Sequence, residues 1–522
     1  MHISRLAIPL RADGSRVMHQ SASPSRLRAV AVSGVLAVIL MGVLAGGSVV
    51  VSERISVLMA WAAVCVAIPL RLGIRAILWS IFLVSFGRRL ADVWLQGSNS
   101  SEFDYLILAP YVAIGVVGIR TMGGRSPFQP RGQRDAVRTA FQVFSLLGVI
   151  SAGIGIFRFG EVGVYQALNL LAPIALLPIA LSVGHVQVLQ ELTRFFRYSI
   201  PIALVYGYWQ LVDTPGWDIA WLRSIQEDTV SFGIPEVGQF RIFGTFSAPL
   251  LFATFLCIAV LALWTLRIYS RPIQILLSIG LVYLVLETEI RTALVALIVA
   301  IGCAYAVAVR TFASVLLSVL TMAAAIWVIG PLASLLESSG GARSYSLSTL
   351  DSDRSWIVRL DLIRNTWTQA MNPIPRGVGS LNSGSRVFDN GFISTGIELG
   401  VLGLLSLLVI CVVLISQVVV RSSSATPVQV YCALTVVFFV VSQFSAPVIQ
   451  SLVGSFFWLT IGMAYGYKVN DKNGTDDVGP HAPDDLRTDR ASGGHSLPKD
   501  VIAKSVLVGG KDRLGDFETR RP

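Results

Sequence analysis

The feature that most restricts this chain is a succession of uncharged apolar runs, many of them close to the ~20 residues an α-helix needs to cross a bilayer. They begin at residue 29 and recur to residue 467, broken by short arginine-bearing connections. Of 522 residues, 54% are hydrophobic and 14% charged, whereas soluble globular chains carry roughly 25% charged residues. Mean hydropathy is +0.68. The expectation is an all-α polytopic membrane protein with about twelve to fourteen transmembrane helices. Spans are expected near 29–51, 55–70, 74–90, 104–120, 139–157, 164–183, 198–212, 248–266, 272–287, 291–309, 311–335, 391–419, 428–446 and 448–467.

Five regions follow. Residues 1–28 form a basic N-terminus, 29–335 a helical bundle, 336–390 a long extracytoplasmic loop with short helices, 391–467 the C-terminal spans and 468–522 a polar tail. The tail is rich in Asp, Gly, Lys, Arg and Pro, has too few apolar groups to bury a core, and is expected to be disordered. With an even number of spans both termini face the cytoplasm of a plasma membrane. The inner loops then hold Arg71 and Arg75, the group from Arg120 to Arg138, Arg194 and Arg197, Arg267 and Arg271, Arg310 and Arg421. That distribution is a good fit to the positive-inside rule, with Arg54, Arg158, Arg223, Arg241, Arg291 and the six arginines of the long loop as the outer-side exceptions. Arg88, Arg89 and Arg291 fall within or beside apolar runs, where an arginine must snorkel or face a cavity.

The net charge of +10 is not a nucleic-acid signature, because every basic residue before Tyr467 other than histidine is arginine and all five lysines lie in the tail. An anion site in the membrane body must therefore use guanidinium groups, which bind phosphate oxygens as a fork. The five cysteines all sit in apolar runs without a C-x-x-C pair and read as small buried hydrophobes. No metal-ligand cluster, nucleotide loop or other cofactor motif is present, so no cofactor is expected.

Three polar constellations fall on the outward side. The first, Gln239 to Pro249, contains Arg241 and leads into a span. Its glycine and proline allow a turn with exposed backbone N–H groups near a helix start. The second is Glu287-Thr288-Glu289-Ile290-Arg291, three charges between two apolar runs. A Glu287–Arg291 pair at i,i+4 is one reading of it, and a ligand-facing Arg291 another. The third is the long loop, where Ser352-Asp353 can cap a helix and Asn372-Pro373 end it. Arg354, Arg359 and Arg364 recur every five residues, about 500° per step, so they cannot share one face. Arg376-Gly377-Val378-Gly379 reads as a flexible turn. Asp389, before Asn390-Gly391, is either a helix cap or a general base.

In this order, these pieces resemble the O-antigen ligase and polymerase family of bacterial membrane glycosyltransferases. Arg241-Ile242-Phe243-Gly244-Thr245-Phe246 is similar to its R-x-x-G-T-F segment, and Glu289-Ile290-Arg291 to its S-R before a span. Arg359 through Gly379 resembles its R…P-x-G-V-G loop helix. Asp389-Asn390-Gly391-Phe392 with Glu398-Leu399-Gly400-Val401-Leu402-Gly403 resembles its H-N-x-[YF]…E-x-G-x-x-G ending. The match spans residues 200–415 or so. Ala248 stands for the usual Asn before Pro249, Glu289 for the serine, and Asp389 for the histidine common in the ligases, which leans toward a polymerase-like member.

The resemblance implies a metal-independent transferase of surface polysaccharide biosynthesis. The donor would be an oligosaccharide on a polyprenyl diphosphate at the outer leaflet, and the acceptor a second glycan. Arg241 and Arg291 would stabilise the diphosphate leaving group, with Arg354 or Arg359, Asn390 and Glu289 binding substrate and Asp389 as base. Export and chain-length proteins would be further partners. The alternatives are a transporter or flippase of lipid-linked glycans and a scaffold in a polysaccharide-assembly complex. Transporters carry repeats and broken helices near the midplane, whereas the polar groups here gather at one face.

Overall fold

A computed structural model describes residues 66–94, 108–122, 136–225, 232–234, 236, 240–309, 364–381, 390–420 and 426–476. The expected spans at 29–51 and 311–335, all but the end of 55–70, most of the loop from 336 to 389 and the tail beyond 476 lie outside these residues. So do Arg354, Arg359 and Asp389. Among the described residues there is no strand, only one isolated bridge between Gly233 and Phe240.

Twelve helices carry the described part of the chain: α1 Ile74–Trp94, α2 Ala109–Met122, α3 Ala136–Phe159, α4 Glu161–Val183, α5 His185–Val212, α6 Gly216–Ile225, α7 Pro249–Leu266, α8 Arg271–Glu287, α9 Arg291–Val309, α10 Gly391–Val420, α11 Pro427–Ser442 and α12 Gly454–Asp476. Four of them are long and apolar enough to cross a membrane: α3, α4, α7 and the Gly391–Ser416 part of α10. Each expected span between 74 and 467 that falls on described residues overlaps one of these helices, although the 448–467 span opens with a 3-10 turn at Val448–Gln450 before α12 begins. α5 starts well before its expected span and α12 runs past residue 467 to Asp476.

α7 is the hub. Pro249 sits in its first turn, where the missing N–H costs nothing. Every residue from Phe252 to Leu263 is buried, as expected for a helix apolar on all sides. α5, α8, α9 and α11 pack around it, while α3 joins α4 to α10 and α1 bridges α2 to α5 and α6. Phe82, Phe195, Phe196, Phe246, Phe255 and Phe456 form one aromatic cluster with ring centroids 5.1–6.2 Å apart. Edge-to-face and tilted pairs of this kind add about 0.5–1.5 kcal/mol each beyond area burial.

α10 is broken inside its length. Gly400 has φ 78° and ψ 167°, and a Cβ there would lie 2.6 Å from the carbonyl oxygen of Pro373. The segment Asn372–Gly379 fills the break. Val401 donates its N–H to Asn372 at 2.9 Å, while Arg376 and Gly377 donate theirs to the freed carbonyls of Ile397 and Glu398 at 3.1 and 3.3 Å. Non-helical backbone among membrane-spanning helices persists only where protein satisfies it, and here protein does.

Candidate functional site

The R-x-x-G-T-F stretch folds as a turn whose residues from Ile242 to Phe246 are buried, leaving Arg241 half-buried at its start. The reason lies beneath it. Arg89, fully buried near the end of α1, donates from Nη2 to the Gly244 carbonyl at 2.6 Å. Its Nη1 lies 3.3 Å from Oδ1 of Asp218, the buried acid of α6. Oδ2 of Asp218 accepts from Tyr206 at 2.7 Å and from the Gln210 amide at 2.6 Å. The amide oxygen of Gln210 accepts the N–H groups of Gly244 and Phe243 at 2.8 and 3.3 Å. The guanidinium of Arg89 also sits 4.6 Å from the centre of the Phe243 ring.

Both backbone groups of Gly244 are therefore held by side chains from helices far away in sequence. Its φ of 53° and the 2.3 Å approach that a Cβ would make to the Phe252 ring require glycine. Two expectations change here. The turn does not present exposed N–H groups at Phe243 and Gly244, because Gln210 consumes them. Arg89 neither snorkels nor faces a cavity; it is the cation of a buried network.

What this turn offers outward is Arg241. Its backbone N–H is fixed to Phe232 at 2.8 Å, and its Nε donates to Oε2 of Glu289 at 2.8 Å with both side chains partly exposed. Among the described residues Nε is the only guanidinium nitrogen with a hydrogen-bonding partner, so the Nη donors remain available. Glu289 lies at the α8–α9 junction with φ 56°, a left-handed conformation unusual for a residue with a side chain. Among the described residues the ion pair recorded at this junction is Arg241–Glu289, and Glu287 closes α8 two residues earlier. Arg291 opens α9 two residues after Glu289. The structure therefore brings together two of the expected site residues, Arg241 and Glu289, with Arg291 two positions further along the chain.

A second group surrounds the break in α10. Oε1 of buried Glu398 accepts the Gly379 N–H at 3.1 Å. The Glu398 carbonyl also accepts from the Ser151 hydroxyl at 2.8 Å, and Val378 donates to the Ser151 carbonyl at 3.1 Å. The R-G-V-G stretch, expected to be a flexible turn, is instead fixed at all four N–H groups from Arg376 to Gly379. Ahead of it, residues 364–370 form a short helix, within the helix expected from Ser352 to Asn372.

Asn390 stands at the start of α10. Its Oδ1 accepts from the N–H groups of Phe392 and Ile393 at 3.1 Å each, the work of a helix cap. Its Nδ2 reaches the Phe444 carbonyl at 3.4 Å. Gly391 donates to the Gln443 carbonyl at 2.7 Å and the Phe392 and Phe444 rings meet at 4.9 Å, docking α10 on the turn after α11.

The Arg241 turn precedes α7, Glu289 and Arg291 join α8 to α9, and Asn390 begins α10. Sequence reasoning did not find Asp218, Gln210 or Gln443. Arg89 had drawn notice as a cation in an apolar run; the other three carry no local signal, since each is an ordinary polar residue near a helix end. Among the described residues no group of three or more His, Cys, Asp or Glu side chains comes together. No protein-family model, curated protein or solved structure matches this chain.

Proposed function

We propose that this chain is a membrane glycosyltransferase of the O-antigen ligase and polymerase type, which elongates or transfers a glycan carried on a polyprenyl diphosphate at the outer face of the plasma membrane. The observation that carries this reading is the presentation of Arg241. A buried network holds its turn rigid, its Nη nitrogens carry no hydrogen bond among the described residues, and Arg291 opens the next helix two residues after Glu289. Two guanidinium groups at one end of a helical bundle suit a diphosphate leaving group, whose oxygens take bidentate hydrogen bonds. In this reading the acceptor hydroxyl oxygen attacks the anomeric carbon, the carbon–oxygen bond to the diphosphate breaks, and the diphosphate departs with the electron pair. The proton passes to the Asp389 carboxylate, one residue before the cap of α10. Arg354 and Arg359 would reach the same substrate from the long loop.

The break in α10 is the one observation that favours a transporter, since such proteins use broken helices. Here, however, the freed backbone groups bind the 372–379 segment rather than a solute path.

The test uses purified protein with a polyprenyl-diphosphate oligosaccharide and no nucleotide, following glycan length for wild type, Arg241→Ala and Asp389→Asn. Elongation by wild type and its loss in both variants, with unchanged size-exclusion profiles, is expected. Full elongation by both variants would sink the assignment. Uptake of the lipid-linked glycan into vesicles without elongation would replace it with the transporter.

A further inference from the structure

The end of the bundle opposite Arg241 gathers three arginines that have no carboxylate partner among the described residues. Arg267 ends α7 and Arg271 begins α8, so both stand one helix length from the Arg241–Glu289 pair. For helices of 18 and 17 residues that is roughly 25–27 Å, close to the ~30 Å hydrocarbon thickness of a bilayer. Between them Tyr269 donates its hydroxyl to the backbone carbonyl of Arg197 on α5. That bond ties the α7–α8 junction to the third arginine, whose guanidinium is near enough to act electrostatically on the Tyr269 phenol. All three arginines are exposed.

Exposed arginines at a membrane surface attract anions there. Among the described residues none of the three has a carboxylate partner. Glu191, the acid at this end of α5, is already held by Arg75 at 2.7 Å and Arg194 at 3.0 Å. Arg267 also adopts φ 50°, a left-handed conformation at a helix C-terminus that glycine adopts without strain.

We propose that Arg197, Arg267 and Arg271, arranged around Tyr269, bind the phosphate of an anionic phospholipid headgroup in the leaflet opposite the Arg241 site. Guanidinium groups fork onto phosphate oxygens. Arg267 and Arg271 lie at helix ends and Tyr269 ties Arg197 to the same level, where headgroup phosphates lie and a negatively charged leaflet supplies the matching charge. A free phosphate offers the same oxygens but not the same depth or local concentration. This inference stands apart from the transferase reading, because it concerns the other end of the bundle and its test reads no activity.

The experiment is native mass spectrometry of the full-length protein in detergent, titrated separately with dioleoyl-phosphatidylglycerol and dioleoyl-phosphatidylcholine. Wild type should retain phosphatidylglycerol with roughly tenfold preference. The triple variant Arg197→Gln/Arg267→Gln/Arg271→Gln should lose that preference, and the triple Lys variant should keep most of it. Arg71→Gln/Arg120→Gln, which removes charge elsewhere at the same end, should retain it. Equal retention of the two lipids by wild type would overturn the proposal, as would an equal loss in the Arg71/Arg120 control. Displacement of bound phosphatidylglycerol by millimolar inorganic phosphate would overturn the lipid assignment.

Discussion

Arg89 and Asp218 meet at 3.3 Å with both side chains fully buried, and the same guanidinium holds the carbonyl of Gly244 at 2.6 Å. The pair ties α1 to α6 and both to the turn that carries Arg241. A buried ion pair is not a large net source of stability, because desolvation offsets the Coulomb attraction. Its geometry is nonetheless specific: one cation and one acid, each also engaged by polar or aromatic neighbours, leave the turn a single arrangement.

Removing one partner should therefore cost more than the pair is worth. Asp218→Ala strands a buried guanidinium and the Tyr206 and Gln210 donors, and the expected loss is about 3–5 kcal/mol. Asp218→Asn keeps acceptor capacity and should lose less. Thermal unfolding in detergent checks both. An Asp218→Ala protein that unfolds with wild type would show that the network is dispensable.

Gly244→Ala should damage the site from within. The added methyl meets the Phe252 ring at 2.3 Å, and overpacking of this kind costs about 1–3 kcal/mol, to which a left-handed alanine adds about 1 kcal/mol. Gly244→Ala/Phe252→Leu opens space for the methyl and should recover part of the loss, leaving the backbone component. Comparing the two melting temperatures separates steric from conformational strain.

The Arg241–Glu289 pair makes a different prediction. At 30% and 22% side-chain exposure it belongs to the class of ion pairs worth about 0–1 kcal/mol, so Glu289→Gln should leave the melting temperature nearly unchanged. If the proposed transferase reading holds, Arg241 would then meet the donor diphosphate without a competing anion. Donor KM should fall several-fold in the elongation assay. An unchanged KM would mean that Arg241 does not meet the donor. Glu289→Gly compared with Glu289→Gln, both lacking the carboxylate, isolates the backbone, and relief of the left-handed strain should leave the Gly variant at least as stable as the Gln variant.

Glu398 gives the fourth. Its Oε1 is the acceptor for Gly379, and a glutamine supplies the same oxygen. Glu398→Gln should retain the fold, whereas Glu398→Leu leaves the Gly379 N–H unpaired at a cost of about 1–3 kcal/mol. The Leu variant should also expose the 372–381 segment to limited proteolysis while the Gln variant does not. Equal cleavage of both would remove Glu398 from the role of anchor.

The described helices were largely legible before any coordinates. The expected spans at 248–266, 272–287 and 291–309 match α7, α8 and α9 within a residue or two, because Pro249, Pro272 and the Glu287–Arg291 charges interrupt apolar runs locally. The break at Gly400 was not legible. A glycine in an apolar run resembles any packing glycine, and only Pro373 and Asn372, brought against it from the loop, make it a break. The Arg376–Gly379 turn looked flexible for the same reason: two glycines speak for freedom until Ile397, Glu398 and Ser151 take its N–H groups.

By itself, then, the sequence determined an all-α chain with helices able to span a membrane and polar connections collected at their ends. Those properties follow from length, hydropathy and punctuation, which act over a single turn or a single span. Tertiary structure alone decided the partners: Arg89 with Gly244 across 155 residues, Arg241 with Glu289 across 48, and Gly379 with Glu398. A buried donor takes whichever acceptor helix packing brings within about 3 Å, and no local pattern records which distant segment that will be.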